Sequence, residues 1–106
     1  MSQHIYKTTV DGSKKVTITM GYDRPLDYLF CTVLDEDENV VYSNLDDDNA
    51  GIALQDVDYY HEVFERLRLV VPESMFHEVA TDQKFSVGNR VVLHLANGQM
   101  REPYTE

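Results

Sequence analysis

"KKVTITM", residues 14–20, decides the fold. Val16, Ile18 and Met20 alternate with Lys15, Thr17 and Thr19, so apolar and polar side chains fall on opposite sides of an extended chain. That period of two marks a half-buried antiparallel strand. Upstream, "HIYKTTV" (4–10) is β-branched and aromatic, and "DGS" (11–13) is a hairpin turn signal, so the two strands pair. Downstream, "GYDRPL" (21–26) makes the next turn. Gly21 frees the backbone, Asp23 bonds its own downstream amides, and Pro25 fixes its φ and holds Arg24 extended. From Tyr28 to Leu34 every residue except Thr32 is apolar, which predicts a strand covered on both faces, or on one face plus an interface. "DEDEN" (35–39) turns the chain again and "VVYS" (40–43) returns as the fourth strand of an antiparallel meander.

The period then changes. "NLDDDNAGIALQ" (44–55) is a loop by composition. Across residues 56–69, Val57, Tyr60, Phe64 and Leu67 recur at helical spacing, with Asp56 as N-cap, Asp58 in the first turn, and Arg66 and Arg68 near the end. Pro72 opens a second helix through about Asp82, with Met75, Phe76, Val79 and Ala80 on one face. "RVVLHLA" (90–96) is a fifth strand, with Val91, Leu93 and Leu95 on one side and Val92, His94 and Ala96 on the other. Residues 97–106 read as a flexible tail. The order ββββααβ over a single domain, 1–106, predicts an α+β fold: an antiparallel sheet of about five strands with two helices packed on one face.

A chain of 106 residues, 42% hydrophobic, can bury a core without a metal or disulfide. Its single cysteine, Cys31, sits in an apolar run as a small buried hydrophobe. The first ten residues lack a secretory signal pattern, and no run approaches the apolar length of a membrane helix, so the expectation is cytoplasmic, without membrane contact. Nineteen acids against nine bases give a formal charge of −10. That excess argues against direct nucleic-acid binding and allows a basic protein partner reached by electrostatic steering.

Residues 35–48 hold seven acids and no base. As calcium loops they fail: from Asp46, Ala50 and Val57 occupy ligand positions, and from Asp35, Val40 replaces the required glycine. His4, His61, His77 and His94 form no metal-binding spacing, and no nucleophile elbow, phosphate loop or dinucleotide fingerprint is present. The expectation is therefore no catalytic residue, no metal and no cofactor. Of the seven tyrosines, Tyr59 adjoins the stripe residue Tyr60 and points about 100° away from it, toward the surface or a second interface such as a homodimer's. The candidate contact residues are Tyr22, Asp23, Arg24, Asp35, Asp37, Asp46, Asp47, Asp48 and Tyr59.

The segment from Gly21 to Val33, with "GYDRPL" before an aromatic-rich strand, resembles small bacterial proteins of similar length that carry a Gly-aromatic-Asp-Arg-Pro-Leu turn. The resemblance implies a bacterial source and brings no activity, cofactor or catalytic residue. Three functional expectations follow. The first is a non-enzymatic protein acting through protein–protein contacts, at the acidic loops and the "GYDRPL" turn. The second is an acidic inhibitor that imitates nucleic-acid charge and blocks a basic groove. The third is a small ligand binder or enzyme whose site is assembled from distant residues.

Overall fold

A computed structural model describes residues 2–10, 14–25, 28–47, 57–95 and 97–105. The fold is α+β. Strands β1 (Ser2–Val10), β2 (Lys14–Asp23), β3 (Tyr28–Asp35) and β4 (Val40–Ser43) precede helices α1 (Val57–Arg66) and α2 (Glu73–Lys84), and β5 (Arg90–His94) and β6 (Met100–Thr105) follow. The first four strands form the expected antiparallel meander, with Tyr6 opposite Ile18 and Met20 opposite Cys31.

The sheet corrects the sequence reading in three respects. It has six strands in the order β4-β3-β2-β1-β5-β6. It is mixed, because β5 runs parallel to β1, with His4 beside Val92 and Tyr6 beside His94. Residues 97–106, read as a tail, contain β6, which pairs antiparallel with β5. The long excursion through α1 and α2 is the crossover that a parallel pair requires.

Both helices lie on one face of the sheet. The alternation of β2 holds: Val16, Ile18 and Met20 are buried with Leu29, Cys31 and Val33 of β3. Against them pack Tyr60, Val63 and Phe64 of α1 and Met75, Phe76 and Val79 of α2. Tyr60 fixes α1 to the sheet by donating its hydroxyl to the Leu29 carbonyl at 3.2 Å. Burial pushes the Cys31 thiol far up, so it stays protonated, and its N–H donates to Asn44 Oδ1 at 3.1 Å. Asp56, the expected N-cap of α1, lies outside the described residues, as do Leu26 and Ala96.

Gly21 has a packing reason beyond the turn. A Cβ there would stand 2.0 Å from the Ser2 carbonyl oxygen and 2.9 Å from the Phe30 ring. The start of β1 therefore lies directly on Gly21, and Tyr22 N–H donates to Ser2 Oγ at 3.1 Å beside it.

Candidate contact face and a buried histidine relay

The expected contact residues do not form one site. Tyr22 is a correction: it is 1% exposed and belongs to the core. Asp23 ends β2, and Arg24 is exposed in the turn, its guanidinium close to Gly88 in the loop before β5. Antiparallel pairing puts Asp35 and Asp37 at the opposite end of the sheet and returns the chain through β4 to Asp46 and Asp47. The two acidic segments are thus separated by the four residues of β4, roughly 13 Å. Asp48 lies outside the described residues.

Two of these acids work inside the molecule. Asp35 Oδ1 accepts the N–H groups of Asp37 and Asn39 at 2.9 and 2.8 Å, which ties the 35–39 turn and lowers the Asp35 pKa. Asp47 Oδ2 accepts the Tyr42 hydroxyl at 2.7 Å and also the Tyr59 hydroxyl. Desolvation and the Asp47 carboxylate push both phenols up. Tyr59 is therefore a brace between β4 and α1, packed edge-on against Tyr60. Glu36, Asp37, Glu38 and Asp46 remain exposed.

The titratable cluster that sequence reasoning missed is buried between β1, β5 and α2. His4 Nε2 lies 2.5 Å from Asp82 Oδ2, and His4 Nδ1 lies 2.8 Å from His94 Nε2. Asp82 Oδ1 accepts from Arg90 Nη1 at 2.8 Å, and Arg90 Nη2 donates to Glu78 at 2.7 Å. An ionised carboxylate only accepts, so the His4 proton sits on Nε2. With both rings neutral, His94 Nε2–H donates to His4 Nδ1, which leaves His94 Nδ1 buried without a hydrogen bond. Burial pushes the Asp82 carboxyl up, but the hydrogen bonds from His4 and Ser2 and the charge of Arg90 outweigh it and hold the group ionised. Desolvation, then the adjoining His4 ring, lowers His94 to about 4, which keeps the His94 imidazole neutral. His4 and Asp82 are fully buried and His94 is 4% exposed, so the relay is sealed from solvent. The available signal was the inward parity of His4 and His94, which share their strand faces with Tyr6 and Val92.

His61 borders a second feature, a cleft of about 210 Å³ between α1 and α2 floored by Phe64, Leu69 and Phe76. Its Nε2 lies 3.0 Å from Glu73 Oε1, which raises its pKa, and its ring stacks on Phe76. Among the described residues no group of three or more His, Cys, Asp or Glu side chains is placed to hold a metal ion.

The third feature is the sheet face that carries no helix. Register places Leu93, Ile5, Thr19, Thr32 and Ser43 in one row across it. Beside it Val91 pairs with Gln3 and Gly21 with Phe30, and another row holds Lys7, Thr17 and Leu34. Ile5, Phe30, Leu34, Val91 and Leu93 are all partly exposed, and Phe30 lies against Gly21. A cavity of about 240 Å³ opens beside Ile5, Lys7 and Leu93. Strand alternation turns the His94 ring to the opposite side, so that cavity meets His94 through its backbone. Among the strand residues whose side chains are described, Asp23 is the one acid on this face.

No protein-family model, no curated protein and no solved structure matches the chain. Among the described residues no helix is long and apolar enough to cross a membrane.

Proposed function

We propose that the protein is a non-enzymatic interaction module whose contact surface is the helix-free face of its sheet. One observation carries this reading: in a chain of net charge −10, that face combines partly exposed apolar side chains with a single carboxylate among the strand residues whose side chains are described. Protein interfaces are depleted of charge at their centres, and β3, apolar on both sides, has its second side here. The sealing of the histidine relay supports a non-enzymatic role, because its imidazoles meet no solvent-filled space.

A photoreactive residue placed at Thr19, on the open face, tests this against the same residue at Glu62, exposed on α1. The expected result in the source cells is a protein adduct from position 19 and none from 62. Adducts from 62 alone would move the contact to the acidic side and favour an inhibitor of a basic groove. No adduct from either position would remove the interaction reading.

A further inference from the structure

The open face also indicates what covers it. We infer that its occupant is a second copy of this chain, stacked sheet on sheet; this rests on the reading of that face as the contact surface. Among the strand residues whose side chains are described, the charges on the face are self-complementary. Along β2 its outward residues run Lys15, Thr17, Thr19, Gly21, Asp23, a cation at one end and an anion at the other. Lys7 reinforces the cationic end, and Glu36 from the adjoining turn flanks it without cancelling both lysines. A two-fold axis between the sheets and perpendicular to the strands sets the lysine end of each copy over Asp23 of the other. A two-fold axis parallel to the strands sets like ends together and is disfavoured.

The long-range charge agrees. The exposed acids Glu36, Asp37, Glu38, Asp46, Asp58, Glu62, Glu65 and Glu73 belong to turns and helices. Stacking on the open faces keeps the helical layers on the outside of the pair, as far apart as the geometry allows, whereas contact through the helices brings them together. The size is sufficient as well. Six strands of these lengths form a face of about 700 Å² at ordinary strand spacings, so two copies bury about 1,400 Å², the scale of a stable interface. The central rows carry the short side chains of Thr17, Thr19 and Thr32, and sheets stack about 10 Å apart.

Sedimentation equilibrium of the full chain measures this. The wild type is expected as a dimer, and Thr19→Lys with Thr32→Lys as a folded monomer, since four like charges then meet at the centre. Lys15→Asp alone and Asp23→Lys alone should each weaken association about tenfold, and the two together should restore it. If the threonine variant fails to fold, as judged by circular dichroism, the charge swaps decide. A wild type that stays monomeric at about millimolar concentration overturns the second copy. Adducts to a different protein from position 19 would then leave the interaction module standing. A dimer indifferent to both the threonine and the swap variants assembles elsewhere and overturns the inference.

Discussion

At His94, burial has a consequence for acid stability. Desolvation first, then the neighbouring His4 ring on β1 and the Arg90 guanidinium on β5, oppose its protonation, while Glu78 and Asp82 on α2 partly favour it. The result is a pKa of about 4 against an ordinary 6.5. The unfolded chain takes up this proton near pH 6.5 and the folded chain only near pH 4. The unfolded state therefore binds more protons through that window, and stability falls as pH falls, by on the order of 3 kcal/mol in all. Asp82, whose folded pKa is depressed, adds a further loss as pH drops through that lower value. His94→Gln keeps a donor for His4 and removes the titration, so urea unfolding of the variant should show a flatter pH dependence between 6.5 and 4. An unchanged slope would mean that another group supplies it. Gly21→Ala, which drives a Cβ into the Ser2 carbonyl, is expected to cost about 3 kcal/mol in the same assay. A loss under about 0.5 kcal/mol would show that β1 can shift at no cost. Neither residue reveals this role locally. Gly21 is legible as a turn residue, but the chain that lies on it comes from Ser2, and His4 reaches Asp82 and His94 from 78 and 90 residues away.

Both helices end on the same device without the residue that usually marks it. After α1, Leu69 N–H bonds to the Phe64 carbonyl and Arg68 N–H to that of Glu65, with Arg68 at φ 59°. After α2, Val87 N–H bonds to Asp82 and Ser86 N–H to Gln83, with Ser86 at φ 51°. These are Schellman closures, which normally place glycine at the left-handed position. A side chain there costs about 1–2 kcal/mol, and glycine returns part of that as unfolded-state entropy. Arg68→Gly and Ser86→Gly are thus each expected to raise stability by about 0.5–1 kcal/mol, whereas Ala80→Gly inside α2 should lower it by about 1 kcal/mol. Stabilities measured by urea titration decide the matter, and a loss at both closures would mean that the Arg68 and Ser86 side chains hold contacts worth more than the strain. The missing glycines also explain why the sequence places these ends imprecisely: apolar spacing carries α1 on to Leu69, while the structure stops it at Arg66. Strand existence was legible because alternation is local, as in Val16, Ile18 and Met20. The parallel pairing of β1 with β5 was not, because no periodicity in "HIYKTTV" or "RVVLHLA" specifies a partner about 90 residues distant. β6 was hidden by its composition, since Pro103 and the flanking Glu102 and Glu106 read as a tail.

At the scale of the whole molecule, the excess of acid was plain in the composition but its placement was not. Placement depends on which side of each strand the helices choose, and that choice leaves Lys7, Lys15 and the threonines on one face and Asp58, Glu62, Glu65 and Glu73 on the helical layer, with Glu36, Asp37, Glu38 and Asp46 in turns. The molecule measures 37 × 32 × 22 Å. At about 0.01 M salt the Debye length is about 30 Å, so each carboxylate feels nearly all the others; at about 0.15 M it is about 8 Å, and only neighbours interact. Repulsion within the net charge of −10 therefore opposes the compact state mainly at low salt. The exposed His61–Glu73 pair pulls the other way but is partly solvated and worth little. The melting temperature should rise by a few °C between those two salt concentrations, measured at one fixed protein concentration because self-association feeds into stability. Neutralising Glu36, Asp37 and Glu38 together as amides should remove part of the rise, since those side chains are exposed and form no ion pair identified in the structure. A melting temperature that falls with salt would mean that attractive pairs, led by the Arg90 contacts to Asp82 and Glu78, outweigh the repulsion, and that the acid excess is compensated within the fold.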